Sequence, residues 1–196
     1  MIAELEIHDI GAAVKLHRRS YLRPWRSWAP YRELGPWDFE ALVGLTMPRG
    51  IRLVIAVTAC WVESDGRLVP YEKKFPEAAR VLRQLPVTIA CHGLTHCVLG
   101  SHRATWWRSN RWAWREFYPW LPEGVERIHL ERAKIILEQW CGRAVTRLVP
   151  PGDVYSPRTE TLAAEYGYAP IVKAPRRIHD RDVVRLGADA ALRLVA

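Results

Sequence analysis

The chain lacks several features that mark specialised classes of protein. It has no run that approaches about eighteen consecutive apolar residues, so the sequence predicts no membrane-spanning helix. The first residues, MIAELEIHD, have neither the basic start nor the apolar stretch of a secretory signal. These two absences predict a soluble, cytoplasmic protein.

Cysteine is also scarce. The four cysteines form no CxxC pair and no closely spaced framework, which argues against a small fold held together by disulfides. Three of them lie in apolar segments, so we expect reduced and mostly buried thiols. At 196 residues the chain can bury a core without cross-links, and we predict one domain over residues 1–196.

Positive charge, by contrast, is in excess. The formal net charge of +8 comes mainly from arginine and could attract an anionic partner such as nucleic acid, phosphate or an acidic membrane surface. A bias in genomic base composition produces the same arginine-rich, lysine-poor pattern. Charge alone therefore identifies no partner.

Short apolar runs alternate with longer amphipathic stretches along the chain. This alternation is typical of repeated strand-helix units and predicts an α/β fold with a mainly parallel sheet or barrel. The patterns predict strands over 3–9, 51–62, 86–92, 145–152 and 169–175, and helices over 76–85, 124–142 and 156–168 with another at the end of the chain.

Polar residues follow the predicted strands at the points where functional groups of parallel α/β folds collect. Asp9 ends the first strand, His92 ends the third, and His96 follows across a turn at Gly93. Two imidazoles and one carboxylate would form a metal site with open coordination positions, as hydrolysis requires. An HxxxH pair alone is weak evidence, and two ordinary loop histidines remain the alternative.

A structural zinc site that also uses Cys91 and Cys97 is a further alternative. Adjacent side chains of a strand point to opposite faces, so Cys91 and His92 can hardly share one ion.

Three segments of the sequence carry a family resemblance: EIHDI at the first strand, IACHGLTH at the third, and LVPPGDVYSPRTETLAAEYGY at the fourth strand and its helix. In this order they resemble the polysaccharide deacetylases, carbohydrate esterase family four. The likeness is to a divergent branch whose first strand ends in His-Asp and whose fourth ends in Pro-Pro-Gly. WREFYPW and LERAKIILEQWCG also resemble that branch, so the resemblance covers most of residues 3–172.

This resemblance implies a distorted, incomplete (β/α) barrel and metal-dependent hydrolysis of an N-acyl group, usually acetyl. Asp9, His92 and His96 would take the ligand positions, normally for zinc. Such a metal polarises the acyl carbonyl and activates water, while a nearby base takes the proton. The implied partner is a small-molecule or carbohydrate N-acyl substrate, with an anionic or lipid-linked sugar also compatible and no obligate nucleic acid. The oligomeric state stays open.

The sequence departs from the usual family pattern at three points. His8 precedes a single Asp9 where the family has two adjacent aspartates, so the base is open; His8 is a candidate, although a regular strand would point Asp9 the other way. Val149 replaces the usual arginine, and Asp153 is a candidate for that polar role. For the general acid the resemblance leaves His179 in RRIHDRD, with an exposed loop histidine as the alternative.

A segment rich in tryptophan and arginine, TWWRSNRWAWREFYPW, follows the histidine motif. Flat aromatic rings stack on sugars or bases and arginine pairs with anions, so this segment is a candidate wall of the site. Packing of an irregular loop is the alternative explanation. The predicted substrate contacts are Trp106, Trp107, Arg108, Trp112, Pro151 and Gly152.

Three other hypotheses remain open on the sequence. A relative that keeps the ligands but has lost its base would be a catalytically inactive binding protein. Arginine with tryptophan is also typical of single-strand nucleic-acid platforms, but that hypothesis leaves HGLTH and PPG unexplained. A non-haem iron oxygenase uses the same ligand types, yet the alternation of strands and helices does not fit its antiparallel barrel.

Overall fold

The computed structural model describes residues 3–12, 32–63, 66–97 and 116–193. Its elements confirm the predicted α/β class. In chain order they are β1 (Glu4–Ile10), α1 (Pro36–Thr46), a 3-10 turn (Met47–Arg49), β2 (Arg52–Val57), β3 (Cys60–Val62), β4 (Leu68–Pro70), α2 (Tyr71–Lys74), α3 (Pro76–Gln84), β5 (Thr88–Cys91), α4 (Glu123–Cys141), a 3-10 turn (Pro151–Asp153), α5 (Pro157–Glu165), β6 (Arg177–His179), α6 (Asp180–Leu186) and α7 (Ala188–Arg193).

Four parallel strands form the main sheet in the order β5-β2-β1-β6. The sheet continues beyond β5 as a single bridge between Cys91 and Leu148. Residues 145–152, predicted as a fourth full strand, therefore contribute only this bridge. The reason is that Pro150 and Pro151 have no N–H to continue the ladder.

The two faces of the sheet differ in polarity because side chains alternate along each strand. Leu5, Ile7, Ile55 and Ile89 lie on one face and pack into a large apolar core with α1, α3 and α4. The opposite face carries a small cluster of Val54, Ala56, Ala90 and Val149. Beside this cluster lies the fully buried carboxylate of Glu6, so this second face combines short apolar side chains with buried charge.

Glu6 is held by two arginines from neighbouring segments. Nε of Arg177 lies 2.9 Å from Oε1 of Glu6, and Nη2 of Arg147 lies 3.2 Å from Oε2. Burial raises the pKa of Glu6, and the two guanidinium groups oppose that rise. A buried carboxylate needs such partners because an unpaired charge away from water is costly.

Several predicted elements differ from the observed ones. The predicted strand over 51–62 breaks at Thr58, whose amide donates to Ile10 O, and at Ala59, whose amide donates to Gly93 O. The amide of Thr58 thus closes the ladder with the last residue of β1, and that of Ala59 binds the loop after β5. β3 then pairs antiparallel with β4 in a separate two-stranded sheet.

The prediction of a strand over 169–175 was wrong. This segment is irregular, with Val172 67% exposed, and prolines at 170 and 175 remove two backbone donors. The strand at this place in the fold is β6, Arg177–His179, which is polar because alternate residues face the buried carboxylate and the candidate site.

Other predictions from the sequence agree with the structure. The helices predicted over 76–85 and 124–142 correspond to α3 and α4, and Gly142 ends α4 at φ +69. Ser156 caps α5 by accepting from the amide of Thr159. All four cysteines are free, and Cys97 alone is not fully buried.

No helix in the described ranges is both long and apolar enough to cross a membrane.

Candidate metal centre

The candidate site is built where β1 loses its regular register. The pairing of β1 with β2 shifts between Ile7 and Ile10, and Asp9 has a left-handed backbone with φ +70. His8 and Asp9 consequently face one pocket, with Nδ1 of His8 4.0 Å from Oδ1 of Asp9. The expectation that their side chains diverge assumed a regular strand and was wrong for that reason.

Two histidines from the loop after β5 meet the Asp9 carboxylate. Nε2 of His92 lies 3.2 Å from Oδ1 of Asp9, and Nε2 of His96 lies 3.0 Å from the same oxygen. His92 comes directly after β5 and is fully buried, whereas His96 reaches the pocket through a backbone with φ +64. The structure thus brings together the three residues that the sequence suggested as ligands.

The hydrogen bonding of His92 indicates whether a cation fits between its ring and the Asp9 carboxylate. Its Nδ1 is 2.6 Å from Val149 O, which can only accept, so Nδ1 carries the proton. In the neutral ring, Nε2 then presents a lone pair to a carboxylate oxygen, an arrangement that a cation between them would relieve. Bonds of about 2.0–2.1 Å to a tetrahedral zinc ion separate its ligand atoms by about 3.3 Å, close to the spacing found here.

Neutral imidazoles and an ionised carboxylate are the protonation states that metal ligation requires. Burial lowers the pKa of His92. Burial opposes the ionisation of Asp9, but the hydrogen bond from Nδ1 of His179 and the close imidazoles of His92 and His96 outweigh it and hold the pKa of Asp9 well below the usual range. The donor set, its protonation and its spacing therefore fit a divalent ion such as zinc.

The second oxygen of Asp9 contacts His179, whose ring lies next to that of His8. Nδ1 of His179 lies 2.8 Å from Oδ2 of Asp9, and the rings of His8 and His179 have centroids 4.2 Å apart. The register of the sheet explains why the rings of His8 and His179 lie together, since His8 on β1 is paired with His179 on β6. His8, Asp9 and His179 form a second group with a spacing suited to a metal.

The two histidines of the second group differ in their access to solvent. Burial lowers the pKa of His8 to about 3, so this ring is neutral at neutral pH. The side chain of His179 is 40% exposed while its Nδ1 is held by Asp9. His179 is therefore anchored on one side and accessible on the other, rather than a free loop histidine.

Asp153 lies beside this pocket and is held by an arginine. Nη1 of Arg177 is 2.6 and 2.7 Å from the two carboxylate oxygens of Asp153. Burial opposes ionisation, but the bonds to Arg177 lower the pKa of Asp153. The same guanidinium binds Glu6, so Arg177 connects Asp153 to the buried charge beneath the site. Sequence patterns did not single out Arg177, because its strand was not predicted.

Backbone strain is concentrated in this region. Asp9, His96 and Asp153 are the non-glycine residues with positive φ in the ranges 3–12, 32–63, 66–97 and 116–193. Such conformations are sparsely populated and persist where the surrounding contacts enforce them, often at functional sites.

The other predicted site residues are less informative. Trp106, Trp107, Arg108 and Trp112 lie outside the described residues. Pro151 is buried, and the adjacent Gly152 is exposed with φ +60.

Sequence reasoning also missed Glu116. This carboxylate is fully buried and accepts hydrogen bonds from the amides of Leu94, Thr95 and His96 in the histidine loop. In the sequence, Glu116 was noticed only as part of WREFYPW, a segment that resembles the esterase family, and no role was predicted for it. An isolated acidic residue in a tryptophan-rich stretch gives no sign that it is buried.

Comparisons with known proteins bear on the fold. No family model matches the chain, and no curated protein matches it in sequence. A family 4 carbohydrate esterase from Streptomyces lividans, solved with acetate, matches with a TM-score of 0.51 at 12% identity, over 98% of this chain and 70% of the esterase. The chain has the fold of the family 4 carbohydrate esterases.

A second match is a pseudoenzyme of this esterase family from Bacillus anthracis. It has a TM-score of 0.54 at 9% identity, over 88% of this chain and 42% of the pseudoenzyme. The present chain thus spans less than half the length of that protein. The esterase fold is therefore found with and without catalytic activity.

The close approach of Glu116 to Gly93 yields a testable prediction. A Cβ atom at Gly93 would lie 1.9 Å from Oε2 of Glu116, at a φ of +82 that L-residues rarely adopt. We expect Gly93→Ala to lower the free energy of unfolding by about 2 kcal/mol or more, measured by urea denaturation. Gly124→Ala is the control, since a Cβ there meets nothing within 4 Å. Equal stability of the two variants would contradict the described packing.

Proposed function

We propose that this protein is a metal-dependent hydrolase that removes an N-acyl group, in the first instance acetyl, from an amino sugar or a related small amide. The observation that carries the proposal is the convergence of Nε2 of His92 and Nε2 of His96 on one oxygen of Asp9, at the strand edge of an esterase fold. Two imidazoles and one carboxylate leave open positions for water and substrate.

Zinc is the proposed ion, held by Asp9, His92 and His96. When bound, it would polarise the acyl carbonyl and lower the pKa of a water ligand toward about 7. The hydrogen bond from Nδ1 of His92 to Val149 O orients that ring and fixes its tautomer, as outer partners of metal-binding histidines commonly do. The ionised Asp9 supplies the one negative charge of the ligand set.

Two histidines are proposed to move protons. His179 is proposed as the acid that protonates the leaving amine, because Asp9 holds its Nδ1 and its other ring nitrogen lies on an accessible side chain. His8 is proposed as the base. Its ring faces the same pocket as Asp9, 4.2 Å from the ring of His179. Asp153, held by Arg177, is proposed to provide the polar support usually supplied by an arginine at position 149.

The substrate is proposed to contact the segment around Pro151 and Gly152, together with the tryptophans and arginine at 106–112. Stacking of aromatic rings on a sugar face is the chemical reason for including that segment. Its contribution rests on the sequence alone.

A catalytically inactive binding protein is the second candidate function. It is favoured by a specific observation, since His8 stands where the usual motif has a carboxylate base and burial holds its pKa at about 3. The resemblance to a pseudoenzyme from Bacillus anthracis supports the same candidate. Both the hydrolase and the inactive binding protein would hold the metal, but only the hydrolase would turn over a substrate.

Metal content tests the proposed ligand set. We expect about one zinc ion per chain in protein purified without a metal-affinity tag, and its loss in Asp9→Ala, His92→Ala and His96→Ala, because each removes one of three protein ligands. Elemental mass spectrometry measures this stoichiometry. His179→Gln is the matched control and should keep the ion.

Two outcomes would contradict the proposed site. A folded wild-type protein that cannot be loaded with zinc, cobalt or nickel would exclude the metal mechanism. Two ions per chain, with one lost in His179→Gln, would mean that His8, Asp9 and His179 hold a second ion, so His8 and His179 would not be the base and the acid.

Turnover separates the enzyme from the inactive relative. We expect slow, chelator-sensitive release of acetate from N-acetylated amino sugars, reduced about 100-fold or more in His179→Gln because proton transfer to the leaving amine is lost. Acetate release by zinc-loaded protein is the measurement. Zinc-loaded wild type that releases no acetate from a panel of such sugars, yet binds one of them, would favour the binding protein.

A further inference from the structure

Glu116 is a buried carboxylate that lies outside the proposed ligand set yet contacts the loop that carries two of the ligands. It has no solvent exposure. Oε1 accepts from the amide of Leu94 at 2.8 Å, while Oε2 accepts from the amides of Thr95 at 3.3 Å and His96 at 3.0 Å. Three consecutive N–H groups therefore point at one side chain.

The loop is shaped to receive this carboxylate. Gly93 has φ +82, and any Cβ at that position would overlap Oε2 of Glu116. His96, two residues after Leu94, has a backbone φ of +64. A non-glycine residue keeps this conformation only when its surroundings enforce it. The hydrogen bond from the amide of His96 to Glu116 is a contact that holds this strained residue.

Glu116 is in turn fixed by a helix. Its Oε1 accepts a hydrogen bond from Nδ1 of His129, a largely buried residue of α4. Helix α4 packs against β5, the strand that leads into the histidine loop. The carboxylate thus ties the loop to helix α4.

His92 and His96 depend on this contact to different degrees. The amide of His92 donates to Val57 O on β2 and its Nδ1 contacts Val149 O, so the sheet alone orients His92. His96 lies beyond the last strand residue, and its buried Nδ1 has no hydrogen-bond partner among the described residues. Its direction toward Asp9 is set by the backbone that Glu116 holds.

We propose that Glu116 is a positioning residue for the metal centre, acting through the amides of residues 94–96 to place the His96 imidazole opposite Asp9. The inference rests on the proposed function, since it concerns one ligand of the proposed ion. His129 is the partner that keeps the Glu116 carboxylate in place.

Glu116→Gln tests this role, because the amide group turns one carboxylate oxygen into a donor that faces backbone donors. We expect zinc affinity, measured by competition with a chromophoric chelator, to fall about 10- to 100-fold, as for other outer partners of metal ligands. The visible spectrum of the Co²⁺-loaded variant should also change, because His96 is displaced. Loss of stability alone would not change that spectrum.

Glu126→Gln is the matched control. Glu126 is equally buried, but it accepts from Nε of Arg158 at 2.9 Å and makes no hydrogen bond to residues 92–97. We expect it to keep wild-type zinc affinity and the wild-type Co²⁺ spectrum, whatever its thermal stability. Should Glu116→Gln fail to fold, His129→Asn tests the same contact from the helix side, and we expect a severalfold loss of zinc affinity.

The outcomes separate this inference from the proposed function. A wild type that binds zinc, with Glu116→Gln binding it equally and with an unchanged Co²⁺ spectrum, overturns the positioning role but leaves the metal site intact. An equal loss of affinity in Glu126→Gln also overturns it. A folded wild type that binds no metal overturns the proposed function itself, and the positioning role with it.

Discussion

The carboxylate of Asp9 contacts three imidazoles and lies 4.0 Å from a fourth, and the candidate site depends on the backbone that turns it there. A left-handed residue at the end of β1 breaks the alternation of the strand, so that two neighbouring side chains share one pocket. Oδ1 of Asp9 then faces His92 and His96 from the loop after β5, with His8 at 4.0 Å, and Oδ2 faces His179 from β6.

Charge continues beneath this carboxylate along the same face of the sheet. Glu6, two residues before His8, is buried and bound by Arg147 and Arg177, and Arg177 extends to Asp153. Buried ion pairs of this kind add little net stability, because desolvation offsets their attraction, although losing one partner is costly. Next to the site, these ion pairs orient the polar groups around His8 more than they stabilise the fold.

The sequence predicted the parts of the fold that follow from local periodicity. The helices over 76–85 and 124–142 and the first and third strands were recognised because their apolar residues recur at the spacing of buried faces. The helix α1 was missed because its apolar residues do not form a clear stripe. β6 was misplaced because its polar residues face a polar pocket, while nearby Ile171 is only partly buried and Val172 is 67% exposed.

The candidate site was predictable only in part for a similar reason. Asp9, His92 and His96 could be grouped from strand ends and from a family resemblance. The contacts of Glu116 and Arg177 join residues far apart in sequence and have no local pattern. The irregular register at Asp9 could not be predicted either, since nothing in the sequence marks where the side chains of a strand stop alternating.

X-ray absorption at the zinc edge, on protein loaded with one equivalent of Zn²⁺, tests the central claim most directly. The account predicts nitrogen and oxygen ligands at about 2.0–2.1 Å, with the outer scattering of two imidazoles. A sulfur shell at about 2.3 Å, or a purely aqueous oxygen shell without imidazole scattering, would contradict a site built from Asp9, His92 and His96.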